Sequence, residues 1–493
     1  MKSFKPVFRL DFEGKAETHR VSDKAELDTT NPLPLGYAAK ASPRLLDRWL
    51  DATVRWAGSA PVFLFIIAGL LTWAFMGIRY GDSDIWVAGI SDVQAIMCYV
   101  FDSLLMRQLL REYTEHRGAM IEIQSRFYSH ERMIATVKTK FGSEGTRIAA
   151  EQSNNRSLQS LSQALHPQTL FARCIIRSAK VFGHIITVGL YWICIFVWLA
   201  FGKYCGWSTQ WQLHINDATS ALMVLVFAFL TCLRECYADY TNNCLDAIFR
   251  LDISLERELR HLTKDDIPHQ PEVASFPKES FIQVGIFYYA DIVGTLVGII
   301  ILVLVFIIWL AIGPVFKFNN TWWLLIGTYA GLVGLLDSFV LRNVQNKVHQ
   351  YVGSQVRHIE KGDMGVLARL SLEVPSAGSA ESLSLTQRVS RWMDAVSSHL
   401  FTVVAGFLVT IGCLVTSSAL KWSLTGQLVS NIAPSIIETF FMLILITGQN
   451  DAEENARVDL TNIYLRRQRL LAFMKDLRKR EEGRLSVDLA DAQ

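Results

Sequence analysis

Apolar residues along this chain gather into eight blocks of about 20, at 60–79, 85–106, 181–201, 212–233, 286–312, 322–341, 396–417 and 428–447. A helix needs that length to cross ~30 Å of hydrocarbon. The interiors of the blocks contain no Lys or Arg. The pattern predicts an all-α polytopic membrane protein with eight transmembrane helices. Connections between blocks alternate, short after the odd-numbered ones, long and polar after the even-numbered ones.

The alternation carries a repeat. Each unit is a helix, a short loop with tryptophan near its end, a second helix and a polar extension. Trp86, Trp211, the pair Trp322–Trp323 and Trp422 mark the loop ends, fitting a residue that favours the membrane interface. The exits read LMRQLLREY at 105–113, LRECYADY at 233–240, LRNVQNKV at 341–348 and TGQNDAEEN at 447–455. Two spans per unit give every unit the same orientation. The expectation is four parallel two-helix repeats with cytosolic helical extensions, unlike the inverted repeats common among transporters. The hairpins run over 56–140, 181–262, 285–361 and 395–482, after an arm at 1–55 and before a tail at 483–493. Linkers lie at 141–180, 263–284 and 362–394. Helical periodicity with many charges continues through 114–140 and 450–482. The stretches 142–163, 265–280 and 375–384, rich in Gly, Ser, Asn and Pro, read as flexible.

Charge sets the orientation. The four short connections carry one basic residue each, Arg79, Lys203, Lys317 and Lys421, and the remaining 44 of 48 Lys and Arg lie elsewhere. Basic residues stay on the cytosolic side, so both termini are expected inside and the short loops outside. Residues 1–55 contain no apolar segment of the kind a cleavable signal needs. Of the eight Cys only Cys205 falls in a short external loop, so no external disulfide is expected.

Composition excludes some chemistry. Only 19% of residues are charged, against roughly 25% in soluble domains. There is no G-x-x-x-x-G-K-[ST] phosphate loop, no H-E-x-x-H, and the 11 His are scattered, so neither ATP-driven pumping nor an enzyme is expected.

GDSDIW at 81–86, followed by an acid six residues past the Trp, resembles the low-affinity iron permease family of fungi. WQLHIND at 211–217 is similar to the W-Q-L-x-I-N signature of short bacterial members, and RNVQN at 342–346 to their Q-N-x-Q-N exit motif. The likeness covers most of residues 50–480. LRECY replaces the amide run in unit two, and Gly327 stands where unit three is expected to have Asp or Asn. The resemblance implies a low-affinity permease importing Fe(II), with Zn(II) and Cu as further candidate cargo, at the plasma membrane. It implies no prosthetic group. Expected partners are lipid, divalent metal ions and a second copy in a homodimer, with no nucleic acid.

Acids inside the spans are the candidate site, because a carboxylate in hydrocarbon costs several kcal/mol without a partner or a wet cavity. Toward the outer side lie Asp92, His214, Asp217 and Asn431, with Glu438 deeper. His214 and Asp217, three residues apart, are placed to share a helix face. Carboxylate, imidazole and amide together suit a borderline divalent metal. The competing reading is helix capping, since Asp92 and Asp217 fall in first turns, where anions are favoured anyway.

An inner layer holds Asp102 and Asp337, each followed five residues later by Arg107 or Arg342, with His184, Asp291 and His399 at similar depth. Five residues is about 140° around a helix, poor for pairing within it. Cross-pairs, Asp102 with Arg342 and Asp337 with Arg107, are expected instead. The layer reads equally as a structural ion-pair collar or as an inner gate. Asp82 and Asp84 would attract cations to the external mouth, screened within ~8 Å. Cys232, Cys236 and Cys244 form a weaker soft-metal candidate.

A divalent cation gains ~4.6 kcal/mol in crossing 100 mV, enough for an inward gradient of roughly three decades without ATP. A relatively unselective cation channel and a membrane scaffold whose buried acids are only ion pairs are the alternatives.

Overall fold

The computed structural model describes residues 18–19, 45–81, 84–161, 165, 168–269, 272–273, 280–318, 320–375 and 385–491. Two residue pairs, β1 (Thr18–His19) and β2 (Glu272–Val273), are joined antiparallel. The other elements are helices, and one order recurs along the chain: a 13-residue helix, a tight elbow, an apolar helix, a short turn and a long helix. The short helices are α1 (Leu45–Ala57), α4 (Leu170–Phe182), α7 (Phe281–Val293) and α10 (Leu385–Ser397). The apolar ones are α2 (Ala60–Tyr80), α5 (Ile185–Gly202), α8 (Leu296–Ile312) and α11 (Leu400–Ala419). The long ones are α3 (Asp84–Asn154), α6 (Thr209–Thr263), α9 (Asn320–Arg369) and α12 (Leu424–Asp491).

Seven helices are long and apolar enough to cross a membrane, and an eighth span follows if α7 and α8 count as one bent pair. The block at 286–312 holds parts of two helices, and the chain turns by 64° between them. Glycine at the turn lets α3 approach closely. A Cβ on Gly294 would meet the Leu110 side chain of α3 at 2.5 Å. The equivalent elbows press equally close, Gly58 on Glu235 of α6 and Gly183 on Asn450 of α12, at 2.4 and 2.5 Å. At the fourth elbow Ser398 touches α9 by hydrogen bonds, accepting from Asn343 at its carbonyl and from Asn346 at its hydroxyl.

The four long helices form the centre. In cyclic order they are α3, α6, α12 and α9, each packed against its two neighbours. Each apolar helix leans on the long helix of the next unit round the ring: α2 on α6, α5 on α12, α11 on α9, α8 on α3. Their other faces are exposed; in α2 the most apolar window is only 6% buried. Stacked tryptophans close three of the hairpins, Trp73 on Trp86, Trp198 on Trp211 and Trp309 on Trp322, with ring centroids 4.5, 3.9 and 4.2 Å apart. In the fourth, Ser417 and Ser430 hydrogen-bond at the same spacing of 13 residues. Trp422 is therefore not the partner of Trp86 and Trp211 that its sequence position suggested. It sits in the turn with positive φ, like Trp207 and Phe318.

The long helices run well past the apolar blocks. α3 runs for 58 residues before its kink at Gly142, about 87 Å at 1.5 Å per residue. Beyond the spans the four helices keep two apolar cores of their own, one around Ile123, Phe249, Ile359 and Ile463, the other around Met133, Leu259, Leu367 and Phe473. The stretch 142–163, read as a flexible linker, instead stays helical to Asn154 after a kink at Gly142, and buries Ala149, Ala150 and Ser153. Half of the linker at 265–280, and all of that at 375–384 but residue 375, lie outside the described residues.

Candidate metal-ion pathway

Polar side chains in the described part of the ring gather at three levels. At the outer level, Asn216 donates to Ser91 at 3.0 Å and Ser220 to Gln94 at 3.3 Å, joining α6 to α3. Asp217, only 5% exposed, has both carboxylate oxygens without a partner. Asn431 of α12 packs against α9, where a Cβ on Gly327 would lie 2.9 Å from its amide nitrogen. This gives a physical reason for glycine where an acid or amide was expected: the amide comes from α12. Pro434 has no N–H to return to the Ser430 carbonyl one turn earlier, on the side facing Gly331.

The middle level holds three acids. Glu438 is wholly buried, with both oxygens unpartnered, and lies against α9 so closely that a Cβ on Gly334 would meet its carboxylate at 2.6 Å. Asp337 is three residues beyond Gly334 and so near the same face. Asp102 of α3 is 1% exposed, with both oxygens also unpartnered. The charges of Asp102, Asp337 and Glu438 act on one another. Since α3 and α12 stand diagonally in the ring, an acid on each can interact only by facing the central axis. One hydrogen bond reaches the group: Tyr289 of α7 donates to Asp337 at 2.6 Å. Tyr99 and Tyr329 meet nearby, hydroxyl to hydroxyl at 3.3 Å.

The inner level is cationic. Arg234 of α6 is 4% exposed, and none of its three guanidinium nitrogens has a partner. Its charge acts on Arg342 and His349 of α9, diagonally across the ring, and it feels Glu112 of α3. Arg234 therefore also faces the axis. Glu453 of α12 interacts with Glu112 as well; burial first, then Glu112, pushes its pKa up to about 7 against the pull of Arg457.

The sequence-based candidates divide on these facts. Glu438 joins the inner acids Asp102 and Asp337 rather than the outer group. His214 is exposed while Asp217 is buried, so the pair does not share a site. The side chains of Asp84 and Asp92 and the whole of Asp82 lie outside the described residues. The cross-pairs are corrected: Arg107 binds Asp51 of α1 at 2.7 Å, with Asp47 at 3.7 Å, and Arg342 binds Asp394 of α10. These acids sit on the short helices, which the block pattern did not reveal, so the reading had no other partner to offer. His184 and His399 are elbow residues whose Nδ1 atoms accept from Ile186 and Phe401 backbone N–H, with exposed rings. Asp291 is buried in α7, but the α7 residue that reaches the acids is Tyr289. Tyr289 was missed, because a tyrosine in an apolar run carries no sequence signal of its own, and Arg234 was noted only beside the cysteines of its exit, although it stands where Arg107 and Arg342 stand in their units.

Among the described residues, no three His, Cys, Asp or Glu side chains converge at metal-binding distance. Cys232 and Cys244 are buried and Cys236 is half-buried, all as free thiols. What the axis offers is a ladder of oxygens with unsatisfied charge.

Comparison with known proteins bears on this ladder. A family model described as low affinity iron permease matches residues 287–359 and 386–487. The chain is 31% identical to the low-affinity iron/zinc ion transport protein of Schizosaccharomyces pombe over 431 residues, 87% of this chain and 73% of that protein. It is likewise 31% identical to the low-affinity Fe(2+) transport protein of Saccharomyces cerevisiae over 458 residues, 87% of this chain and 83% of that one. No solved structure matches it.

Proposed function

This chain belongs to the low-affinity iron permease family, and from that premise we propose that it passes Fe(II), and Zn(II) beside it, along the axis of the four long helices. One observation carries the reading: Asp102, Asp337 and Glu438, from three helices, hold five unpartnered buried oxygens around one axis. Like charges so placed repel one another, and a divalent cation arriving among them relieves the repulsion. The metal is cargo, so the absence of a tight cage suits the task; conduction needs binding weak enough to release. Asp217 supplies an earlier station, and the amide of Asn431, against α9, a neutral oxygen at the outer level. The membrane potential drives entry without ATP, and we assign the chain no enzymatic activity.

Four parallel hairpin units carry this pathway. Support comes from the recurring helix order, the stacked pairs at a constant spacing and the cyclic leaning of outer helices on inner ones. The plasma membrane is the proposed location, with both termini in the cytosol, a reading that the distribution of basic residues supports. Tags at residue 20 and at the C-terminus should be reachable only after permeabilisation, and a tag at 205 on intact cells. Copper is the third cargo to include in any competition assay.

The experiment is radiolabelled iron uptake in cells lacking their own low-affinity uptake, comparing wild type with Glu438→Gln at matched surface levels. Loss of uptake in the folded variant supports the reading. Wild-type uptake by Glu438→Gln would remove the acids from the pathway and leave them structural.

A further inference from the structure

Below the cationic level the axis is shut. The apolar core around Met120, Ile123, Ile248, Val356 and Ile463 draws on all four long helices. Further on, Arg467 of α12 ties the ring together: it reaches Asp252 of α6 at 3.4 Å, Asp363 of α9 at 3.1 Å and His130 of α3 at 3.4 Å. All four residues are at most 1% exposed. A cation that has passed the acids cannot continue along such a core, because hydrocarbon gives it no oxygen and Arg467 opposes it. It must leave sideways, between the level of Arg234 and that core.

A cavity of about 430 Å³ lies at this height, between α4, α6, α10 and α12. Its wall contains Tyr237, Asn450, Asp451, Glu453, Glu454 and Arg457. Glu453 belongs to two places at once: it lines the cavity, and it interacts with Glu112 on the diagonal helix α3. It is thus the link between axis and cavity. Glu454, one residue on, is exposed. Both walls also carry cations, Lys180 and Arg457, so the portal is not a standing metal trap. We propose that the cation leaves the axis sideways through this cavity, with Glu453 receiving it from the axis and Asp451 and Glu454 passing it to the cytosol.

This proposal rests on the permease reading above, and the test separates the two. Wild-type protein is reconstituted into vesicles, and Fe(II) entry is followed with a metal-quenched dye inside them. Ser390→Trp fills the cavity from α10, where Ser390 donates to Asp451 at 3.4 Å. Its flux should fall about fivefold or more, as expected when a conducting path is plugged. As a second variant, Glu454→Cys is assayed before and after a bulky thiol reagent is applied to its cytosolic side. Each protein is then its own folding control, and reagent-treated wild type accounts for the native cysteines. Block of Glu454→Cys alone supports the portal. Equal flux before and after labelling, together with wild-type flux in Ser390→Trp, overturns it and leaves the permease reading intact. No Fe(II) flux in wild-type vesicles overturns the permease reading, and the portal with it.

Discussion

The same four helices bury charge at several levels, and two of these places differ in one respect. Around Arg467 the buried acids Asp252 and Asp363 face a guanidinium, with neutral His130 beside it. Around Glu438 the buried acids act on one another, with the Tyr289 hydroxyl donating to Asp337 and the Cys98 thiol and Tyr99 hydroxyl close by, and among the described residues no cation pairs with them. Desolvating a charge costs several kcal/mol, and a partner in good geometry can offset much of it. The paired cluster is explained by holding four helices in register. The unpaired one has no such partner among the described residues, and in the proposed pathway a passing cation supplies that counter-charge.

Breaking the paired cluster gives the largest expected effect. Arg467→Leu leaves two carboxylates buried without their partner and should cost about 3–5 kcal/mol of stability. The readout is loss of folded protein by size-exclusion and thermal unfolding in detergent. A normally folded Arg467→Leu would mean the cytosolic cluster is as dispensable to folding as the upper one.

Glu438→Gln should do the opposite. It removes charge that nothing in the fold neutralises, so stability should hold or rise while uptake falls about tenfold or more. Asp102→Asn and Asp337→Asn should follow the same pattern, seen as a drop in maximal uptake at unchanged surface level.

The elbow pairs fall between these extremes. Asp394→Asn should cost about 1–3 kcal/mol, the range for a buried donor losing its acceptor. Exchanging Arg342 and Asp394 should recover part of that loss, whereas exchanging Asp102 and Arg342 should not. The comparison is thermal stability of the single and double variants.

A smaller effect separates the two clusters by pH. Burial, and after it the Arg467 charge, hold the His130 pKa well below 6.5, with Arg126 and His269 acting in the same sense and Glu256 against them. His130 is therefore neutral when folded but binds a proton more readily once unfolded. Its contribution is full above pH 6.5 and is lost as pH falls from 6.5 toward the folded value. His130→Gln should flatten the decline of unfolding temperature below pH 6.5, and Glu438→Gln should leave that slope alone. His214→Ala should be the least consequential change, with uptake and the Fe(II)-to-Zn(II) ratio near wild type, because the ring faces outward.

Periodicity made the membrane class, the approximate spans, the long helical extensions and the suspicious acids legible, since each depends on local composition. It did not separate α7 from α8, because both are apolar and the elbow at Gly294 is marked by close packing against Leu110 of α3, which no local pattern shows. The partners of Arg107 and Arg342 were misassigned for a related reason. Asp51 and Asp394 lie 56 and 52 residues from their arginines, on short amphipathic helices that merged into the polar segments beside them.

Sequence alone determined that this chain enters a membrane and that carboxylates enter with it, because length, apolarity and charge are properties of each segment by itself. Tertiary structure decided which acids meet. Asp102, Asp337 and Glu438 come from helices hundreds of residues apart, and only the ring order α3, α6, α12, α9 turns them onto one axis. It also turned His214 away from Asp217, although three residues separate them, because burial depends on which neighbour a helix face meets and not on spacing along the chain.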